Sequence, residues 1–292
     1  MSTTSRRDLL AAGAAALPVF AAAAKETTPL RGLLAGKVAV IYGAAGSIGS
    51  AVAGAFAREG AHVELTGRTL DKLNVLAAEI ARAGGSAATA QVDALDRNSV
   101  EKHLAAVTAA RGRLDVSFNL IGISDTQGDA LTAMNVDSFA APVVTAARTH
   151  FLTATAAARH MALRKSGVIL MLTAQVARKP YAASGGFGVA CAAIEGLCRQ
   201  LAVELGPDGI RVVTLRSAGS PDAPGVSAAI AEHAKTAGVS REAFEARIAE
   251  KTMLRRMPKM AEIANAAVLA ASDRASAMTA AVLNLTCGEI AD

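Results

Sequence analysis

Between a short apolar run and a helical stretch, the chain reads Gly43-Ala44-Ala45-Gly46-Ser47-Ile48-Gly49. Small residues at that place let backbone approach a phosphate. The helix that follows offers unpaired N–H groups and the positive end of its dipole. Gly43 permits the tight turn. Ser47, Ile48 and Gly49 open the helix, and the Ser47 hydroxyl adds a donor, so the spacing points to a pyrophosphate. A second run ends Leu65-Thr66-Gly67-Arg68. Asp93 closes a third run, and Asn119-Leu120-Ile121-Gly122 closes a fourth. Polar candidates for the chemistry are fewer: Tyr181, Thr173, Gln175, Arg178 and His150. The last four also read plainly as a strand-end hydroxyl, two surface-loop residues and a helix histidine satisfied by a neighbour. Cys191 and Cys198 fall on one helical stretch, and Cys287 stands apart. At ~1.5 Å per residue the first two are roughly 10 Å apart, too far for a disulfide. No zinc-ligand spacing is present, so three free thiols within a core are expected and no metal.

These residues sit at the ends of a regular alternation. Strands are predicted over 37–42, 62–66, 87–92, 114–120, 167–172, 210–215 and 281–285. Helices are predicted over 47–59, 70–82, 99–111, 143–163 and 188–205. Short apolar strands joined by helices require a parallel sheet covered on both faces. With right-handed crossovers, the expected fold is α/β: a doubly wound three-layer sandwich on a seven-stranded parallel sheet. One domain is expected over 37–292, with 25–36 as a linker. Residues 219–258 carry Pro221, Pro224, Gly225 and Pro258 and no strand pattern, which suggests a flap over a site.

Composition narrows the classes. The chain has 292 residues, 52% hydrophobic and 19% charged, with net charge +5 and 3% aromatics. That suffices for one large core and excludes a disordered chain. No apolar run of ~20 residues recurs, which excludes a multi-span membrane protein. Basic residues are scattered and stacking aromatics are few, so no nucleic-acid partner is expected. The N-terminus has the order of an export signal: Arg6-Arg7, an Ala-rich apolar stretch, then Ala22 and Ala24 before Lys25. The paired arginines resemble a twin-arginine signal. Cleavage after Ala24 is predicted, giving a periplasmic or extracellular protein with no membrane association. The alternative is an Ala-rich leader without that role.

From Leu33 to Ile290 the chain resembles the short-chain dehydrogenase/reductase family, whose Rossmann fold and T-G-x-x-x-G-x-G turn match at Gly43 and Gly49. Tyr42 stands at the threonine and Ser47 at the middle glycine. The resemblance implies a nicotinamide dinucleotide held by Gly43, Ser47, Ile48, Gly49, Arg68, Asp93, Asn119 and Gly122. Asp93 matches the adenine contact, and Asn119 with Gly122 matches the family's N-N-A-G. NAD-preferring members carry an acidic residue near Gly67. Here Arg68 follows, which implies NADP(H). A homo-oligomer built on the two long helices is also implied.

The family's proton-transfer residues are an Asn, a Ser, a Tyr and a Lys. The flanking match Leu201-Ala202-Val203-Glu204-Leu205-Gly206 sets their places at Ala146, Ala174, Phe187 and Cys191. None of these can do that chemistry. A register using Tyr181 places Gly185 at the lysine and spoils the downstream match. Strand six ends Ser217-Ala218-Gly219 instead of Pro-Gly. Two readings follow. One is an atypical NADP(H)-dependent oxidoreductase acting on a small carbonyl, enone or imine, with a proton from water, the substrate or a loop residue such as Tyr181. The other is a non-catalytic protein binding a nucleotide, an apolar ligand or a partner.

Overall fold

The computed structural model describes residues 32–292, so the expected export signal lies outside the described residues. Seven strands form one parallel sheet: β1 (Val38–Tyr42), β2 (His62–Gly67), β3 (Ser86–Gln91), β4 (Val116–Asn119), β5 (Gly167–Ala174), β6 (Ile210–Ser217) and β7 (Ala281–Leu285). Their order is β3-β2-β1-β4-β5-β6-β7. The chain therefore winds outward from β1 in one direction and then in the other. Such a reversal leaves a crevice beyond the carboxyl ends of β1 and β4, where ligands of doubly wound sheets bind.

Side-chain alternation assigns each face. Ala39, Ile41, Val63, Leu65, Val213 and Leu215 join one core beneath α1 (Ser47–Arg58), α2 (Leu70–Arg82) and the later helix α8 (Met260–Ala271). Their neighbours along the strands, Val38, Val40, Tyr42 and Val212, join the other core together with Ile169 and Met171 of β5. That core lies under α3 (Arg97–Arg111), α4 (Val136–Ala162) and α5 (Phe187–Leu205). Successive residues of a strand point to opposite faces, so a strand buried on both must be apolar throughout; β1, Val-Ala-Val-Ile-Tyr, is fully buried. At the edge, β3 is Ser-Ala-Ala-Thr-Ala-Gln, with no buried residue. Small and polar side chains suit a strand with one unpaired edge.

The doubly wound sandwich is as expected, with differences at element ends. Strands β5 and β6 run two residues further than predicted, to Ala174 and Ser217. Helix α4 starts at Val136, capped by the Asn135 side chain, and contains Pro142. Its early turns were hidden in the sequence by that proline, which stands at the seventh helical position, where a proline ordinarily reads as a helix break. Residues 219–258 hold no strand, but they form α6 (Pro224–Thr236) and α7 (Arg241–Ala249). Helix α8 was not predicted. Its Ala-rich run shows little polar contrast, because Ala264, Ala267 and Ala271 pack closely against α1 residues such as Ala53 and Ala57. The domain also takes in residues 32–36, assigned to the linker from sequence: Leu34 is fully buried, and its N–H donates to the Glu59 carbonyl at 3.0 Å. Cys191 and Cys198 are buried on α5; Cys287 is half-buried in a turn with φ 53°, outside the expected core, and all three are free.

Candidate functional site

The glycine turn is built by close backbone approach. Gly43 has φ +74°, and a Cβ there would stand 2.6 Å from the Leu120 carbonyl oxygen. A Cβ on Gly49 would stand 2.3 Å from the Gly43 carbonyl oxygen. Both glycines thus let β1, α1 and the end of β4 meet. Gly46 caps α1 with no side-chain hydrogen bond, and the first turn holds no acidic residue. The Ser50 N–H is bonded back to the Gly46 carbonyl at 2.8 Å. The amides of Ser47, Ile48 and Gly49 come before that bond. An uncapped helix start leaves its first amides and the positive end of its dipole open to a partner.

The other expected cofactor residues lie along the same carboxyl edge. Arg68 is exposed just past β2, its carbonyl accepting from Gln91 Nε2 at 3.0 Å. Asp93 is exposed just past β3, with Oδ1 accepting from the Leu95 N–H at 3.0 Å. Gly122 is exposed, and a Cβ there would meet open space. Asn119 is 3% exposed and committed at both ends: Oδ1 accepts from the Ile121 N–H at 3.0 Å, and Nδ2 donates to Thr153 Oγ1 at 3.2 Å. It holds the turn after β4 against α4. These residues fit a dinucleotide on this edge: open amides, small neighbours and an exposed guanidinium.

The edge of β5 is mostly apolar. Ala146 is fully buried on α4, and its carbonyl accepts from His150 Nδ1 at 3.0 Å. Phe187 opens α5, half-buried. One turn on, the Cys191 thiol bonds the Ala174 backbone, and burial pushes it up to about 11. It is a protonated thiol, not a nucleophile. His150 is fully enclosed and held near 4, chiefly by burial, and its Nε2 finds no hydrogen-bond partner among the described residues. Tyr181 is half-exposed, and its hydroxyl donates to Gln127 Oε1 at 3.3 Å. Burial raises it above the usual phenol range, and Asp125 and Cys191 raise it further. Thr173 Oγ1 donates to Glu195 Oε1 at 3.1 Å, so its proton is committed. Gln175 opens a single 3-10 turn, its carbonyl accepting from the Arg178 and Lys179 N–H groups.

Sequence reasoning missed one cluster. Arg216 on β6 is 2% exposed and forks onto Glu195 of α5, Nε to Oε1 at 2.8 Å and Nη2 to Oε2 at 2.9 Å. Its Nη1 donates to Asp292. An arginine inside an apolar strand was the available signal, since a buried charge requires a partner. The Ser217 and Ser220 hydroxyls nearby are buried without hydrogen-bond partners among the described residues. Among those residues no three His, Cys, Asp or Glu side chains are placed to hold a metal, and no helix is long and apolar enough to cross a membrane.

Fold and cleft together define a doubly wound α/β protein with a close-packed glycine turn at the switch point. The chain matches the family model for enoyl-(acyl carrier protein) reductases over residues 43–289. It is 30% identical over 252 residues to the uncharacterized oxidoreductase YxbG of Bacillus subtilis strain 168, covering 85% of this chain and 89% of that protein. It is 31% identical over 193 residues to the glycine betaine reductase ATRR of Emericella nidulans, 66% of this chain but only 15% of that protein. In fold it is similar to a solved NAD+-bound xylitol dehydrogenase, with TM-score 0.81 and 23% identity over 87% of this chain and 99% of that one. The chain belongs to the short-chain dehydrogenase/reductase family of oxidoreductases, which bind a nicotinamide cofactor, NAD or NADP.

Proposed function

We propose that this protein is an NADP(H)-dependent oxidoreductase that acts on a small activated acceptor, a carbonyl, enone or imine, without the family's usual proton-transfer residues. The observation that carries the reading is the uncapped start of α1 behind Gly43, with exposed Arg68 on the neighbouring strand end. The α1 amides and Ser47 would hold the pyrophosphate, Arg68 the 2′-phosphate, Asp93 the adenine amine, and the turn fixed by Asn119 with Gly122 the adjoining sugar. Bound there, the dinucleotide supplies or accepts a hydride. Phe187 and Ala174 would keep the mouth apolar rather than donate protons to it, and Ala146 on α4 has no polar side-chain atom to offer. Holding donor and acceptor at ~3–3.5 Å supplies much of the rate, while losing acid–base assistance costs roughly 10²–10⁴, which an activated acceptor tolerates.

Titration with NADPH and NADH by nucleotide fluorescence tests the cofactor. Tighter binding of NADPH, with Arg68→Ala removing the difference, is the expected result; equal affinities would overturn the NADP assignment. Loss of reduced-nicotinamide absorbance with a panel of enones and imines tests turnover. A second reading is a nucleotide-binding protein without catalysis. It is favoured by the residues at the four proton-transfer places, Ala146, Ala174, Phe187 and Cys191, none of which supplies the family's acid–base chemistry. NADPH binding with no turnover on any acceptor would select it. We further propose export through the twin-arginine route, expected to appear as a mature N-terminus at Lys25 by mass spectrometry.

A further inference from the structure

The Glu195–Arg216 pair leaves one edge of a buried guanidinium unsatisfied by the core. Glu195 takes Nε and Nη2, and Thr173 donates to the same carboxylate. The third edge, Nη1, meets the side-chain carboxylate of Asp292, which is 40% exposed while the Arg216 side chain is 3% exposed. Arg178 Nε lies 4.0 Å from the same Asp292 oxygen. Beside it, Lys179 Nζ lies 3.3 Å from Glu289 Oε1. A buried arginine edge and an exposed arginine thus meet on one carboxylate after β7, Asp292, while the lysine next in the chain to that exposed arginine pairs with Glu289. Glu195 neutralises Arg216, so with Asp292 displaced Arg178 faces the notch unpaired.

The place of this notch bears on the reaction. In the β5–β6 register Arg216 stands opposite Thr173, and Ser217 opposite Ala174. Neighbouring strands are ~4.8 Å apart, so the notch begins one strand away from Ala174 and Cys191. Arg178 and Lys179 also lead directly into the loop that carries Tyr181. Planar guanidinium edges match a carboxylate in geometry as well as charge, and the partly exposed Asp292 carboxylate is the replaceable member of the network.

We propose that Arg216, Arg178 and Lys179 form the substrate-anchoring notch of the site, that it takes the carboxylate of a small organic acid, and that Asp292 holds its place when no such ligand is bound. The proposal deepens the oxidoreductase reading and rests on it for the word substrate; the carboxylate site itself stands without it. The acid enters by exchanging one carboxylate for another on Arg216 Nη1 and Arg178, and the Glu195–Arg216 fork stays in place. No covalent bond changes in this step.

Calorimetry with benzoate at constant ionic strength, with benzamide as the neutral control, tests it on the full chain. Asp292→Ala should bind benzoate at least about tenfold more tightly than the unaltered protein, and benzamide no better. Adding Arg178→Gln to Asp292→Ala should lower benzoate affinity several-fold; Glu195 still pairs the buried Arg216 in both variants, and a melting curve of each checks that it is folded. No benzoate binding by Asp292→Ala, or equal binding of benzamide, overturns the notch. NADPH titration of the same samples separates the two readings. NADPH binding without benzoate binding sinks the notch alone, and benzoate binding without NADPH binding sinks the oxidoreductase reading alone.

Discussion

A phenol acts as a proton carrier near neutral pH only when something stabilises its anion. Tyr181 has the opposite surroundings: burial, the Asp125 carboxylate and the Cys191 thiol all raise it, and only the Gln127 hydrogen bond lowers it. Tyr181→Phe is therefore expected to keep turnover of an activated acceptor within about threefold, since no acid–base contribution of the 10²–10⁴ size is lost. Steady-state rates decide it; a hundredfold loss would restore Tyr181 as the proton donor. His150 gives a stability prediction at the same scale. Its folded pKa is depressed to about 4 from the ordinary 6.5 by complete burial. Between those values the unfolded chain binds the proton and the folded one does not. Stability is thus fully present above about pH 6.5 and is lost as pH falls toward 4, by about 2 kcal/mol at pH 5. His103, also lowered mainly by burial, acts with the same sign. Urea midpoints at pH 7 and pH 5 should differ by less in His150→Gln than in the unaltered chain. An unchanged difference would place the acid sensitivity elsewhere. What sequence disclosed at this scale was local: the glycine turn, Arg68 and Asp93 announce themselves by spacing. Arg216 did not, because its partners Glu195 and Asp292 lie on other elements and no short spacing links them.

At the scale of elements, the cofactor edge depends on α1 lying against its own turn. A methyl at Gly49 would sit 2.3 Å from the Gly43 carbonyl and 2.9 Å from Ala44 Cα, and both are backbone that cannot rotate away. Gly49→Ala must push α1 outward and re-aim the amides of Ser47 and Ile48. The expected cost is about 1–3 kcal/mol of stability from overpacking, with NADPH affinity falling at least about tenfold as the anion site opens. Melting and nucleotide titration of one sample measure both. Unchanged NADPH affinity in a folded variant would show that the start of α1 does not hold the dinucleotide. A similar closeness explains the α4–α5 junction. A Cβ at Gly186 would lie 2.0 Å from the Phe139 carbonyl, so α5 can begin directly on the early turns of α4. The strands and most helices were legible because their period contrasts with the turns between them. The early turns of α4 were hidden behind Pro142. Helix α8 was hidden because alanines packed on alanines carry no amphipathic contrast.

At the scale of the whole molecule, the outer faces of α4 and α5 leave apolar surface that the chain itself does not cover. Val144, Phe151 and Val189 are each about half exposed. Between the two helices runs a groove of about 340 Å³ lined by Ala146, Ala147, Phe151, Ala193, Ile194 and Leu197, with Arg148 at its side. Two long helices meeting side by side can be doubled about a two-fold axis, each groove receiving the other copy's Phe151. A closed symmetric interface then covers the patch on both chains at once. We propose that the protein is a homo-oligomer joined through this face. The same helices carry Cys191 and Phe187 on their inner side, so assembly braces the mouth of the site from behind. Sedimentation at micromolar concentration should give at least twice the chain mass. Phe151→Glu sets a carboxylate against its own image across the axis, and should shift the protein to single chains while leaving NADPH binding in place, because Phe151 lies away from the α1 turn. A single-chain mass for the unaltered protein, or an unshifted mass for Phe151→Glu, would remove this face as the interface.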